Sequence, residues 1–201
     1  MKIRNLGLVA YEPTWRAMQA FNASRTAETE DELWLVEHPP VFTLGLAGRR
    51  EHLLAPGDIP VVATDRGGQV TYHGPGQAIV YALVDLRRLG IGAKELVRRL
   101  EQAAIDTLAG YRIIAARRAG MPGVYVDGAK IAAIGLRIAR GCSYHGLALN
   151  VGNDLEPFTR IDPCGYPGLA SARTADFGVR DKIHAVQQSL AGNLARCLTP
   201  S

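Results

Sequence analysis

Three kinds of side chain in this sequence stand where they could do group-transfer chemistry. Cys164 lies in Asp162-Pro163-Cys164-Gly165-Tyr166-Pro167-Gly168, a loop too rich in proline and glycine for a core position. A thiol displayed on a rigid loop is a nucleophile when a neighbouring cation stabilises its thiolate, and inert when none does. Lys130 starts the strand-like run Lys130 to Ile138. A strict period of two places it on the face of Ala132, Ile134, Leu136 and Ile138, with Ile131, Ala133, Gly135 and Arg137 opposite. A lysine on an apolar face loses water, which disfavours a charged side chain and suits a base or a cation beside a thiolate. The other reading is a lysine beside the Asp127-Gly128 turn, bent out to solvent.

The third group sits in Asp65-Arg66-Gly67-Gly68-Gln69-Val70-Thr71-Tyr72-His73-Gly74-Pro75-Gly76-Gln77, where four glycines and a proline surround Arg66 and His73. Glycine lets backbone approach a ligand and adopt positive φ, and Pro75 stiffens the exit. A turn needs the glycines. It does not need a guanidinium fork and an imidazole, whereas a site for an anionic or carbonyl-bearing ligand uses both. The segment therefore reads as a bent binding loop between two short β-branched strands, Pro60 to Ala63 and Ala78 to Val84, of the kind that sheets bury.

Other chemistries find no support. The chain has no Gly-Lys-Ser or Gly-Lys-Thr phosphate loop, no Gly-x-Gly-x-x-Gly, no His-Glu-x-x-His and no Gly-x-Ser-x-Gly elbow. Cys142-x-x-His145 has a metal-like spacing without a second pair, so no metal is expected. Cys197 falls on the apolar stripe of the last helix, as core filling. Three scattered cysteines without a Cys-x-x-Cys pair are thiols rather than a secreted disulfide framework.

The elements that must position these groups follow from pattern. Leu6 to Ala10 reads as a strand, and residues 13 to 28 as a helix with Trp15, Met18 and Phe21 inward. Glu32 to Glu37 and Val41 to Gly45 read as strands broken by His38-Pro39-Pro40, where His38 is a turn hydrogen-bonder. Gly92 to Leu108 is an amphipathic helix closed by Gly110. Tyr111 to Ile114, Met121 to Val126, Ala129 to Arg140 and Tyr144 to Val151 read as further strands, and Asp181 to Leu198 as the final helix. This order predicts an α+β fold, a mixed, largely antiparallel sheet flanked by helices, with residues 1–201 as one domain. The 201 residues are 47% hydrophobic with no 18-residue apolar run, which predicts a cytoplasmic protein without membrane contact. Of 23 basic residues only four are lysines, against 19 acidic residues. The pairs Arg49-Arg50, Arg87-Arg88, Arg98-Arg99 and Arg117-Arg118 are dispersed and lack interleaved aromatics, so no nucleic acid is expected; a positive field of this kind suits an acidic protein partner.

Five segments together carry a resemblance. Arg66-Gly67-Gly68 through Gln77, Pro122-Gly123-Val124-Tyr125, Lys130 to Gly135, His145 to Val151 and Pro163-Cys164-Gly165, in this order and spacing, resemble the octanoyltransferases of lipoate biosynthesis; Trp34 to Gly45 is also similar. The resemblance covers about residues 6–178 and implies the catalytic-domain fold of biotin and lipoate ligases, here as an octanoyltransferase domain over 1–201. It implies octanoyl transfer from acyl carrier protein to a lysine of a lipoyl domain, in 2-oxoacid dehydrogenase complexes or the glycine cleavage H protein, with no cofactor. It further implies that Cys164 is the acyl-thioester nucleophile and that Lys130 lowers its pKa. The acyl site would be lined by Arg66, Gly67, Gly68, Gln69, Val70, Thr71, Tyr72 and His73, by Ala133, Ile134 and Gly135, and by Gly146, Leu147 and Ala148. Small residues among these leave room between strands for an unbranched acyl chain, and a thioester donor removes the need for a nucleotide. The competing readings are an ATP-dependent lipoate or biotin ligase on the same fold, which would not need Cys164, and a non-catalytic acyl-binding module.

Overall fold

The computed structural model describes residues 1–163 and 167–199. A seven-stranded sheet organises the chain, in the order β1 (Lys2–Leu8), β2 (Glu32–Glu37), β6 (Gln77–Leu83), β10 (Cys142–Asn150), β9 (Ala129–Ala139), β8 (Met121–Val126) and β7 (Ala116–Arg118). Within this sheet β1 and β2 run parallel, and the other neighbouring strands pair antiparallel. A smaller sheet places β3 (Val41–Leu44) between β4 (Val61–Ala63), parallel to it, and β5 (Val70–His73), antiparallel.

The period of two in the central strands divides the large sheet into two apolar faces. Leu33, Leu35, Ala78, Val80, Ala82, Leu147 and Leu149 face α2 (Ala93–Gly110) and α3 (Ile183–Leu198). Leu96, Leu100, Ala104 and Leu108 recur every four residues on α2, and Val186, Leu190 and Leu194 on α3, so each helix lays one stripe into this core. Trp34, Val36, Ile79, Tyr81, Leu83 and Ala148 look the other way, towards Met18 of α1 (Tyr11–Ser24). On that second face α1 packs against β10, and the small sheet and its glycine loop lie across β9 and β10 to form the other wall of the site.

Four local expectations change. Val70–His73, read as part of a continuous loop, forms β5, because Tyr72 finds an apolar partner in Phe42 across the small sheet. The run before the loop is β4, an exposed edge strand rather than a buried one. Tyr111 to Ile114 is no strand: Tyr111 and Arg112 close α2 through backbone bonds to Leu108 and Ala109, and Ile114 is exposed. The first helix ends at Ser24 rather than near residue 28. Among the described residues no helix is long and apolar enough to cross a membrane.

Candidate functional site

The floor of the site is set by register. Gly146 of β10 lies opposite Tyr81 of β6 and Gly135 of β9, and Ala148 lies opposite Ile79 and Ala133. Two adjacent rows therefore each place a small residue on both β9 and β10, and a trough opens along the strands where larger side chains would meet. Gly146 has a second reason to be glycine, since a Cβ there would come within 2.2 Å of the Val80 carbonyl oxygen. The resulting cleft is lined from β5, β6, β9 and β10. From Gly146 to Asn150 the floor spans five residues, four rises of a strand, or about 13 Å.

The glycine loop forms the opposite wall. Gly68 takes φ +86° and Gly76 φ +84°, left-handed conformations that explain glycine at both positions. Loop carbonyls of Arg66, Gly67 and Gly68 crowd against Gly45, where a Cβ would lie 2.3 Å from the Gly68 oxygen. Arg66 is buried and braces this loop from inside: its guanidinium donates to Thr43 O (2.7 Å), Thr43 Oγ1 (2.8 Å), Gln69 O (2.8 Å) and Gly67 O (2.9 Å). Its role in the geometry is thus to hold the wall as well as to line it.

Of the expected acyl-site residues, Arg66, Gly68, Gln69, Val70, Thr71, His73, Ala133, Ile134, Gly135, Gly146, Leu147 and Ala148 line the cleft, with Lys130 beside them. Gly67 and Tyr72 do not. Gly67 instead donates its N–H to Leu136 O (2.8 Å), tying the loop to β9. Tyr72, alternating with Thr71 and His73 along β5, packs into the cluster of Phe42 and Phe158. Cys164 lies outside the described residues. The residues on either side of its loop are anchored: Leu53 pairs with Ile161 and His52 O accepts Asp162 N–H, while Ala170 O accepts Lys130 N–H and Lys130 O accepts Ala172 N–H. Pro163 and Ser171 both line the cleft.

Lys130 reaches the cleft by a departure from strict alternation. Val124 pairs with Ala132 but Tyr125 pairs with Lys130, so Ile131 is an extra residue on β9. Ile131 and Ala132 both enter the α2/α3 core, and Lys130 lines the cleft with Ala133 and Gly135. The bulge shifts the side-chain alternation so that Lys130 falls with Ala133 and Gly135, although Ala132 and Ile134, which pack in or against the α2/α3 core, also border the cleft. The solvent-exposed reading is excluded as well, since Lys130 is only 6% exposed, with its ammonium 5.7 Å from the centre of the Tyr125 ring.

Several lining groups escaped the sequence reading. Gln77 and Asn150 end their strands and face each other, and the Gln77 amide donates to Asn150 Oδ1 (2.9 Å) and Tyr72 O (3.3 Å). That fixes Gln77 Oε1 as an acceptor, so the His73 Nδ1–H donates to it at 2.7 Å and Nε2 keeps its lone pair. Burial lowers the His73 pKa to about 3, helped by the nearby His38; the ring is a neutral imidazole stacked on Tyr11. Asn150 in turn donates to Ala172 O (3.0 Å), which connects the imidazole to the segment paired with Lys130. His38 donates to Val9 O (2.6 Å) and accepts the Tyr81 hydroxyl (2.7 Å), the hydrogen-bonding role its sequence context suggested, and burial lowers its pKa to about 4.

His145 is the least expected. Its φ of +61° is rare for a non-glycine residue and turns the ring to the same side as Tyr144, on which it stacks. Both donate to Asp65, His145 Nε2–H at 3.0 Å, and Trp15 (2.7 Å) and Gln19 (2.9 Å) donate to the same carboxylate. Burial pushes the Asp65 pKa up, but these four donors outweigh it and hold the carboxyl well below its usual range. The cluster pins α1 to β10, and His145 carries it to the edge of the cleft.

An elongated trough of glycine and alanine, with an amine at one end and a braced glycine loop as its wall, suits a linear acyl chain. The chain matches the lipoyl protein ligase A/B catalytic domain family over residues 10–193. It is 64% identical to the octanoyltransferase of Thiobacillus denitrificans over 98% of this chain and 90% of that one. The chain belongs to the octanoyltransferase family. The octanoyltransferase of Chromobacterium violaceum is 59% identical over 99% of this chain and 96% of that one. Among solved structures, a bipartite lipoate protein ligase from Thermoplasma acidophilum superposes with a TM-score of 0.77 at 17% identity, covering 100% of this chain and 85% of that one. Lipoate-protein ligase A bound with ATP gives 0.77 at 16% (98% and 86%), and the biotin protein ligase of Aquifex aeolicus 0.58 at 11% (98% and 69%). At these identities the structures establish the α+β ligase-type fold, as the sequence predicted; the family establishes an acyltransferase of lipoate metabolism.

Proposed function

We propose that this acyltransferase takes the octanoyl group from octanoyl-acyl carrier protein onto Cys164 as a thioester and passes it to a lysine of a lipoyl domain as an amide. In the first step the Cys164 thiol gives up its proton, the thiolate attacks the donor carbonyl, and the carbon–sulfur bond to the carrier breaks, the carrier thiolate leaving and taking up that proton as a thiol. In the second the acceptor amine displaces Cys164, again as thiol. The gain in stability from thioester to amide drives the sequence, and no nucleotide enters the balance. Lys130 serves as the cation beside the thiolate. The observation that carries this reading is the buried amine of Lys130 at the end of a small-residue trough, with Pro163, the residue before Cys164, lining the same cleft.

The family match over residues 10–193 supports reading residues 1–201 as one catalytic domain. Arg49 adjoins the site, because its N–H donates to the side chain of the lining residue Gln69 (3.2 Å). Arg49-Arg50 is therefore the arginine pair best placed to receive an acidic carrier or lipoyl domain. Arg49 pairs with the exposed Glu51 (3.3 Å), whereas Arg88 and Arg117 pair with the buried carboxylates of Asp31 and Glu101. Turnover with octanoyl carrier protein and a lipoyl domain, measured without ATP, tests the reading. Wild type should form the amide and Cys164→Ala should not; an absolute need for ATP would move the protein to the ligase reading.

A further inference from the structure

Glu101 is a buried acid on α2, 7% exposed, that the transfer chemistry does not call for. Its Oε1 accepts the Gly123 N–H at 3.0 Å and its Oε2 accepts the Arg117 Nε–H at 2.9 Å. Gly123 belongs to β8 and has φ +135°, outside the conformations that residues with side chains adopt readily. A Cβ built there would lie 2.6 Å from Lys130 Cε and 2.7 Å from Ala132 O. The Lys130 stem thus passes directly over a bare peptide, at the step where Ile131 bulges out of the β8–β9 pairing, and its ammonium ends near the Tyr125 ring.

We propose that Gly123 and Glu101 are positioning residues: Gly123 leaves the groove in which the Lys130 stem lies, and Glu101 clamps the Gly123 peptide so that the groove keeps its shape. The proposal rests on the reading that Lys130 serves Cys164. Neither residue lines the cleft. Their effect is on where the amine of Lys130 is held, and α2, which otherwise serves the core, thereby acquires a part in the site. An alkyl stem held on a fixed peptide loses few rotamers when the site is occupied, so the cation is pre-placed rather than recruited.

The test is the pH dependence of Cys164 alkylation by iodoacetamide, mapped by peptide mass, together with kcat and KM, for Gly123→Ala, Glu101→Leu, Glu101→Gln and Arg117→Ala, with thermal melting as a check on folding. Gly123→Ala should raise the alkylation midpoint by about one pH unit and lower kcat at least about tenfold, with KM for the carrier little changed. Glu101→Leu should move the same way. Glu101→Gln keeps an oxygen for the Gly123 N–H, and Arg117→Ala removes the ion pair and the Arg117 bonds to Arg98 O and Gln102 Oε1 but leaves Glu101 on the Gly123 N–H, so both should keep the wild-type midpoint. A folded Gly123→Ala with the wild-type midpoint overturns the proposal, as does Arg117→Ala shifting as far as Glu101→Leu. If Gly123→Ala does not fold, the Glu101 pair decides: equal midpoints in Glu101→Leu and Glu101→Gln overturn it. Loading of the wild-type protein by octanoyl carrier protein, followed by intact mass, reports separately on the transferase reading, so either idea can fail alone.

Discussion

Replacing Ala133 by leucine should shorten the acyl chain the enzyme prefers. Ala133 faces the cleft from β9, directly across from Ala148, and it is half-buried because the trough lies in front of it. Leucine adds three carbons to alanine, and in a close-packed site it takes roughly the volume of three methylenes from the ligand. At about 0.8 kcal/mol per buried methylene, an octanoyl donor loses about 2.4 kcal/mol, or about 60-fold in kcat/KM. A butanoyl donor never reaches that space and should change by less than about twofold. In the wild type each methylene should be worth about fourfold up to the length that fills the trough. The assay is kcat/KM for butanoyl, hexanoyl and octanoyl carrier protein with one lipoyl domain, alongside thermal melting. The prediction is a crossing of the two profiles. An equal fall for all three donors with unchanged melting, or no fall for octanoyl, would refute the placement of the acyl chain between β9 and β10.

Three other expectations follow from particular residues. An unfolded histidine binds its proton near pH 6.5, whereas folded His73 and His38 do so only near pH 3 and 4. Between these values the unfolded chain holds more protons, so stability is full above about pH 6.5 and falls as pH drops, by about 2 kcal/mol per histidine at pH 5. Urea unfolding at pH 7.5, 6 and 5 checks this, and a flat profile would contradict the neutral, buried state of both rings. Lys130→Ala should raise the pH at which Cys164 reacts with iodoacetamide, while Lys130→Arg keeps a cation: restored turnover marks an electrostatic partner, and an intact thiolate with dead turnover marks a proton carrier. Indifference of the thiol to both changes would remove Lys130 from the mechanism. Finally, Arg49→Glu with Arg50→Glu should lower kcat/KM and flatten its dependence on salt, since a steering field is screened within about 10 Å at 0.1 M; an unaltered salt slope would point to another docking surface.

Much of this was legible in the sequence because it is local. The stripes of α2 and α3, the alternating faces of β6 and β10 and the positive-φ glycines of the loop each follow from neighbours a few residues apart. What escaped is set by pairing partners. The bulge at Ile131 belongs to β8 and β9 jointly, so counting by twos along β9 alone put Lys130 on the wrong face. Tyr72 turned away from the cleft because Phe42 and Phe158, distant in sequence, form a pocket for it. Gln77 and Asn150 gave a weak signal, polar residues ending apolar strands, whose meaning needed their contact across 73 positions. Asp65 stood at the edge of the glycine loop in plain view, yet nothing local indicated that α1 and β10 would bring four donors to it.

The most direct test is the mass of the acyl-enzyme. Incubation with octanoyl carrier protein and no ATP should add a single octanoyl group, mapping to the peptide that contains Cys164 and not to those with Cys142 or Cys197, and a lipoyl domain should then discharge it. An adduct at another residue, or full turnover by Cys164→Ala, would contradict the account.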